Sequence, residues 1–286
     1  MVIDDAIKKL RGKPGTSVKI TTAREPEDKN AEWITKELTL VRELIKTENI
    51  RSRMIDPKVG YIKMIEFTGH VTEDFSKAMT DLKGKGMEAL VLDLRYNPGG
   101  LLSAAVDISK LFLNDSKMIV FTKGRKPENY QEFRANGAGA YEMLPLVILM
   151  NRYSASASEI VAGAMQDNKR AVIVGERSFG KASVQSMIPL SDKSALRLTI
   201  AKYYTPSGKS IQHDAKNENG GIYPDIAVKV TVDTEKKLLQ QGDEIFYPGK
   251  EDKADKKKDL VSDDVLDRAV ELLKAREVLG NLKPGK

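Results

Sequence analysis

Two short, nearly unbroken apolar runs, 89–94 (ALVLDL) and 144–150 (LPLVILM), constrain the fold most. A run of this length with no polar alternation reads as a strand buried on both faces. Such a strand needs helices above and below its sheet, and the neighbouring segments supply them. Residues 72–82, 101–113 and 157–167 read as helices, the first with Thr72 as its cap. Strands are expected at 60–67, 117–122, 170–174, 195–204 and 226–232, with a long polar loop over 124–141. Strands alternating with helices define an α/β layered core with substantial parallel sheet. A last helix, capped by Ser262, carries Val265, Leu266, Ala269, Leu272 and Leu273 as its apolar stripe.

The first residues follow a different pattern. Ile3, Ala6, Ile7 and Leu10 share one face of a short helix, and 17–23 and 34–42 read as strands around a polar turn at 25–30. This is too little chain to bury a core alone. The expected organisation is a small piece over 1–45, a main body over 46–250, and a charged linker with a helix over 251–286. The run at 251–259 has mixed sign and reads as solvated.

Several function classes drop out on composition. With no cysteine, thiolate nucleophiles, disulfides and cysteine-bound metals are excluded. The net charge of +6 is dispersed among alternating lysines and acids, which argues against a nucleic-acid partner. No stretch approaches 18 apolar residues, so no integral membrane segment is expected. The opening residues carry acids where a signal peptide is basic, so either the protein is cytoplasmic or a leader is gone.

Chemistry concentrates in three segments. Ser156 and Glu159 have capping-box spacing at the start of the 157–167 helix. A serine there can serve only as a cap. It can also act as a nucleophile, with the Ala157 amide at the positive end of the helix dipole receiving an oxyanion. Ser154 and Ser158 compete for the role, and spacing does not separate them. The histidines, His70 and His213, read as a strand-end and a polar-turn residue rather than as bases. Lys181, between Gly180 and Ala182, can replace histidine if burial lowers its pKa toward neutrality. Gln185 lies four residues on, and a direct contact with Lys181 requires a turn. The third segment, 93–100 (DLRYNPGG), follows the most buried strand, and Gly99 or Gly100 could offer a second oxyanion amide. It matches neither a dinucleotide nor a phosphate loop.

In order along the chain, 60–62 (GYI), 93–100, 154–160 (SASASEI), 162–167 (AGAMQD), 175–181 (GERSFGK), 204–212 (YTPSGKSIQ) and 223–226 (YPDI) resemble the C-terminal processing, or tail-specific, proteases. The resemblance implies a crotonase-like core and a serine endopeptidase that cleaves proteins near their C-termini. It implies Ser156 as nucleophile, Lys181 as general base and Gln185 as the third member. It also implies an oxyanion amide at Gly100, with Gly99 as fallback, beside Ala157. Ala182 departs from the glycine usual after the lysine. The family carries a PDZ domain, of which 1–45 resembles only the closing helix and last two strands, so a truncated form is expected. The resemblance further implies a periplasmic or cell-envelope location, with the thylakoid lumen as the alternative. Protein or peptide substrates are implied, with no cofactor and no metal. The apolar face of 3–10 suggests packing of residues 1–45 in a homodimer, or their disorder. The rival readings are a non-catalytic binding module on the same fold and a crotonase-type acyl-CoA enzyme.

Overall fold

The computed structural model describes residues 2–24, 26, 33–44, 48–192, 194–215, 218–246 and 261–281. The turn expected at 25–30 lies outside them except for Pro26, as does the charged run at 251–259. The chain divides into two compact units, Met1–Glu48 and Asn49–Lys286.

The first unit holds α1 (Ile3–Leu10) and an antiparallel pair, β1 (Ser17–Arg24) and β2 (Ile34–Val41), in register along all eight residues. Arg42 binds them together. Its guanidinium donates to the carbonyls of Lys9 and Leu10 at 2.9 and 2.8 Å. It also donates to Thr16 Oγ1 and the Ser17 carbonyl at 2.9 and 3.0 Å. Carbonyls in the last turn of a helix lack intrahelical donors, and here an arginine supplies them.

The second unit runs β3 (Ile50–Asp56), β4 (Val59–Met64), α2 (Val71–Gly84), β5 (Ala89–Asp93), α3 (Leu102–Lys110), β6 (Met118–Gly124) and β7 (Gln131–Arg134). It continues with β8 (Leu146–Met150), α4 (Ala157–Asp167), β9 (Val172–Gly175), β10 (Ser183–Pro189), β11 (Ala195–Tyr204), β12 (Ile226–Ala227), α5 (Val232–Phe246) and α6 (Asp264–Asn281). A six-stranded sheet has the order β12-β9-β8-β5-β4-β3, parallel except for β3 at its edge. A second, antiparallel sheet has the order β10-β11-β6-β7.

Side chains alternate across the large sheet with period two. Leu90, Leu92 and Ile148 join Phe75 of α2, Ile108 of α3 and Val161 of α4 in one apolar cluster. Val91, Val147 and Leu149 join Val265, Ala269 and Leu273 of α6 in another. All five residues of β5 and of β8 are buried, as their apolar runs require. Among the described residues, no helix is long and apolar enough to cross a membrane.

Several sequence expectations need correction. Helix α2 starts at Val71, so Thr72 lies inside it, and His70 at the cap position makes no side-chain capping bond. Glu73 and Asp74 in the first turn complement the dipole instead. His70 does not end a strand, because β4 stops at Met64. The 124–141 segment is not all loop. It contains β7, a short and mostly exposed strand that pairs with β6. Only Ile226 and Ala227 of the strand expected over 226–232 are strand. Thr231 Oγ1 then accepts the Thr234 N–H at 3.2 Å and opens α5, a helix the sequence reading did not foresee. In α6 the cap is Asp263 rather than Ser262. Its carboxylate accepts the Leu266 N–H at 3.2 Å, and an acid there suits the dipole.

Candidate active site

Three loops leave the carboxyl ends of β5, β8 and β9, which are neighbours in the parallel sheet. In a layered α/β fold this is where a site is built.

The loop after β5 turns on Asn97, which is fully buried. Its amide donates to the Met64 carbonyl at 3.0 Å and its Oδ1 accepts the Gly99 N–H at 2.9 Å. Its carbonyl accepts the Ala155 N–H and Ser158 Oγ, both at 3.0 Å. One residue thus joins this loop to the serine loop. Gly99, at φ +103, passes so close that a Cβ would lie 2.7 Å from the Cβ of Ser156. Gly100, at φ +140, bridges to Phe67, and a Cβ there would meet the Phe67 carbonyl oxygen at 2.2 Å. The Gly99 amide is therefore occupied. The amides of Gly100 and Ala157 make no hydrogen bond among the described residues.

The loop after β8 delivers the three serines differently. Ser154 is fully buried, accepts the Asn151 N–H at 3.0 Å and donates to the Leu94 carbonyl at 2.8 Å. Ser158 is equally buried and committed to Asn97. Ser156 is half-buried, with φ +56 and ψ −112. That backbone conformation is strained for a residue with a Cβ, by roughly 1–3 kcal/mol.

The loop after β9 brings Lys181, and Glu159 joins it to the serine. One arm of the capping box expected at α4 is made, the Ser156 N–H donating to Glu159 Oε2 at 2.7 Å, while the Glu159 N–H donates to the Ser156 carbonyl rather than to its hydroxyl. The same oxygen accepts the Lys181 N–H at 2.9 Å. Oε1 accepts Ser178 Oγ at 2.6 Å and the Gly180 N–H at 2.7 Å. Glu159 is fully buried, and burial raises its pKa while these four donors partly oppose the shift. Sequence reading gave Glu159 only its capping role. Its bonds to Ser178, Gly180 and Lys181 arise between segments about twenty residues apart, which local spacing does not show.

Other expectations fare differently. The Lys181 side chain is exposed rather than buried. Lys181 and Gln185 do not share a turn. Gln185 lies in β10, opposite Thr199, just past a bulge, and is exposed. Lys181 lies two residues before β10 begins. Among the described residues no hydrogen bond joins Lys181 to Ser156 or to Gln185. His213 sits closer than expected, with its N–H donating to the Gly180 carbonyl at 2.8 Å and its side chain exposed. No cluster of three or more His, Asp or Glu residues placed to hold a metal occurs among the described residues.

The sheet and its three loops define a layered α/β protein with a serine-bearing helix N-terminus at the strand ends. The chain belongs to peptidase family S41, whose family model matches residues 58–228. It is 42% identical over 231 residues to a carboxy-terminal-processing protease of Bartonella bacilliformis, covering 79% of this chain and 50% of that protein. It is 38% identical over 231 residues to a carboxyl-terminal-processing protease of a Synechocystis species, covering 79% and 51%. Among solved structures it resembles the photosystem II D1 C-terminal processing protease, with a TM-score of 0.57, 30% identity, and coverage of 76% of this chain and 57% of that one. The chain spans about half the length of the curated relatives it matches.

Proposed function

We propose that this chain is the catalytic part of a serine endopeptidase that cleaves proteins near their C-termini through an acyl-enzyme. The observation that carries the proposal is the Glu159 oxygen that accepts both the Ser156 and the Lys181 amides. It sets the backbone of the hydroxyl-bearing residue beside that of the amine-bearing residue. Ser156 Oγ attacks the scissile carbonyl and gives its proton to the Lys181 amine. The oxyanion that forms receives hydrogen bonds from the Gly100 and Ala157 amides. Gly99 is the fallback donor, and its use would require breaking its bond to Asn97. Lys181 then protonates the leaving amine, and a water activated by the same lysine hydrolyses the ester. Closing the pair takes rotation of the flexible lysine stem toward Ser156. Gln185 would orient the amine only once β10 and that stem have approached one another. Burial and prior commitment of Ser154 and Ser158 support Ser156 as the nucleophile.

Protein or peptide substrates follow from this reading, and the likeness to C-terminal processing proteases supports a periplasmic or other cell-envelope setting, with the thylakoid lumen as the alternative. Residues 1–45 are read as the end of a PDZ domain, with a homodimer as one way to cover the apolar face of α1. A second reading, a binding module on the same fold, is favoured by the exposed Lys181. One experiment separates the two. A fluorophosphonate probe and a casein digest are applied to the wild type and to Ser156→Ala. Labelling and cleavage lost with Ser156 support the peptidase, and a wild type that neither labels nor cleaves supports the binding module.

A further inference from the structure

Helices α5 and α6 lie beyond the stretch matched by the family model, yet each sends a carboxylate to a loop of the site. Glu235, in the first turn of α5 and buried, forms an ion pair with Arg152, and, after burial itself, its charge lies near enough to the Tyr96 hydroxyl to push that group's pKa up. Asp263, at the start of α6, accepts two bonds from the Arg95 guanidinium at 2.8 and 2.7 Å. Arg95 in turn holds the fully buried Asp93. The rings of Tyr96 and Tyr153 stack at 5.5 Å, and Arg152 lies over Tyr153 at 4.7 Å. Arg95 and Tyr96 immediately precede Asn97, whose side chain shapes the Gly99–Gly100 turn. Arg152 and Tyr153 precede Ser156 by four and three residues. The oxyanion turn and the nucleophile loop are therefore stacked on each other and fastened from behind by two acids of the C-terminal helices.

Attachment of α6 does not need this ion pair, because Val265, Ala269 and Leu273 already bury its face in the sheet cluster. Partly buried ion pairs add little stability beyond apolar packing, whereas their directional bonds can fix geometry. We infer that Glu235 and Asp263 are positioning residues for the reaction, holding the Gly100 and Ala157 amides and Ser156 in one arrangement through Tyr96, Arg152 and Arg95. The inference rests on the serine-peptidase reading of the site.

Glu235→Gln and Asp263→Asn in the full chain test it. Each is expected to lower kcat on a peptide substrate by about tenfold, with KM nearly unchanged, at a temperature where circular dichroism shows full folding. Fluorophosphonate labelling should slow in parallel. Combining Glu235→Gln with Arg152→Gln should cost no more than the worse single change, and additive losses would overturn the shared contact. Wild-type kcat in both single variants would overturn the inference, as would a kcat loss matched by loss of folded protein. Hydrogen exchange over 94–101 and 151–158 reads the same positioning without turnover. It should rise in the variants at these segments and not elsewhere, and unchanged exchange overturns the inference whether or not the wild type is active. Raised exchange in a protein whose wild type neither cleaves nor labels would sink the peptidase reading alone.

Discussion

Glu159 offers four acceptor positions to four donors, so replacing it with an amide has a definite consequence. Glu159→Gln keeps one oxygen, and donors now grouped on the other oxygen lose their partner or face an N–H. Each buried donor left unpaired costs about 1–3 kcal/mol. The variant is expected to melt earlier and to lose turnover together, as the Ser156 and Lys181 loops separate. Unchanged turnover would show that the shared oxygen is not needed. The two groups proposed to react behave differently. Ser156→Ala and Lys181→Ala are expected to cut peptidase turnover by on the order of 10⁴ or more with the fold retained, measured by peptide cleavage and circular dichroism. Ser154→Ala and Ser158→Ala break buried structural bonds, so they should lower stability more than the intrinsic rate. Abolished turnover in a well-folded Ser154→Ala would move the nucleophile assignment.

At the scale of elements, Arg42 is the test case in the first unit. Arg42→Ala removes the donors to the last turn of α1 and to the start of β1. Faster hydrogen exchange over 3–11 is the expected result, and unchanged protection would show that the helix is held by something else. The strands of the central sheet were legible because burial on two faces leaves runs such as 89–94 with almost no polar residue. The elements that escaped notice are those with exposed faces. Strand β7 is four residues of mostly polar chain, and β10 keeps much of its length in solvent. Helix α5 had signals, Thr231 as cap and Asp233 and Glu235 in the first turn. They were hidden behind an apparent strand that ends after two residues. The site divides in the same way. Its loops and their order were readable from local patterns, whereas Glu159, Glu235 and Asp263 matter through partners that only the folded chain brings near.

For the whole molecule, acid is expected to unfold the second unit through Asp93. Burial alone would raise its pKa, but Arg95, Lys63 and the hydrogen bonds from Arg95 and Tyr61 hold it well below the usual carboxylate range. A depressed native pKa means that the unfolded chain binds the proton first. The stabilisation is complete above the ordinary carboxylate value and is lost as pH falls below it toward the native one. Glu159 acts in the opposite direction. Its raised native pKa lets the folded chain hold a proton that the unfolded chain has released, so its contribution falls as pH rises through that window. Melting temperature against pH in wild type and Glu159→Gln should differ in slope just above the ordinary glutamate range. Substrate choice is also a property of the whole chain. If residues 1–45 lack a carboxylate-binding loop, matched peptides ending in a free acid or an amide should be cleaved at similar rates, and loss of cleavage on amidation would refute that reading. Finally, the positive φ of Ser156 sets heat tolerance against reactivity. Glycine at 156 would release strain of roughly 1–3 kcal/mol. Against this stands about 0.5–1 kcal/mol for its greater freedom when unfolded. Ser156→Gly should therefore melt above Ser156→Ala, and a screen for thermal hardiness blind to turnover would select a glycine there and discard the hydroxyl.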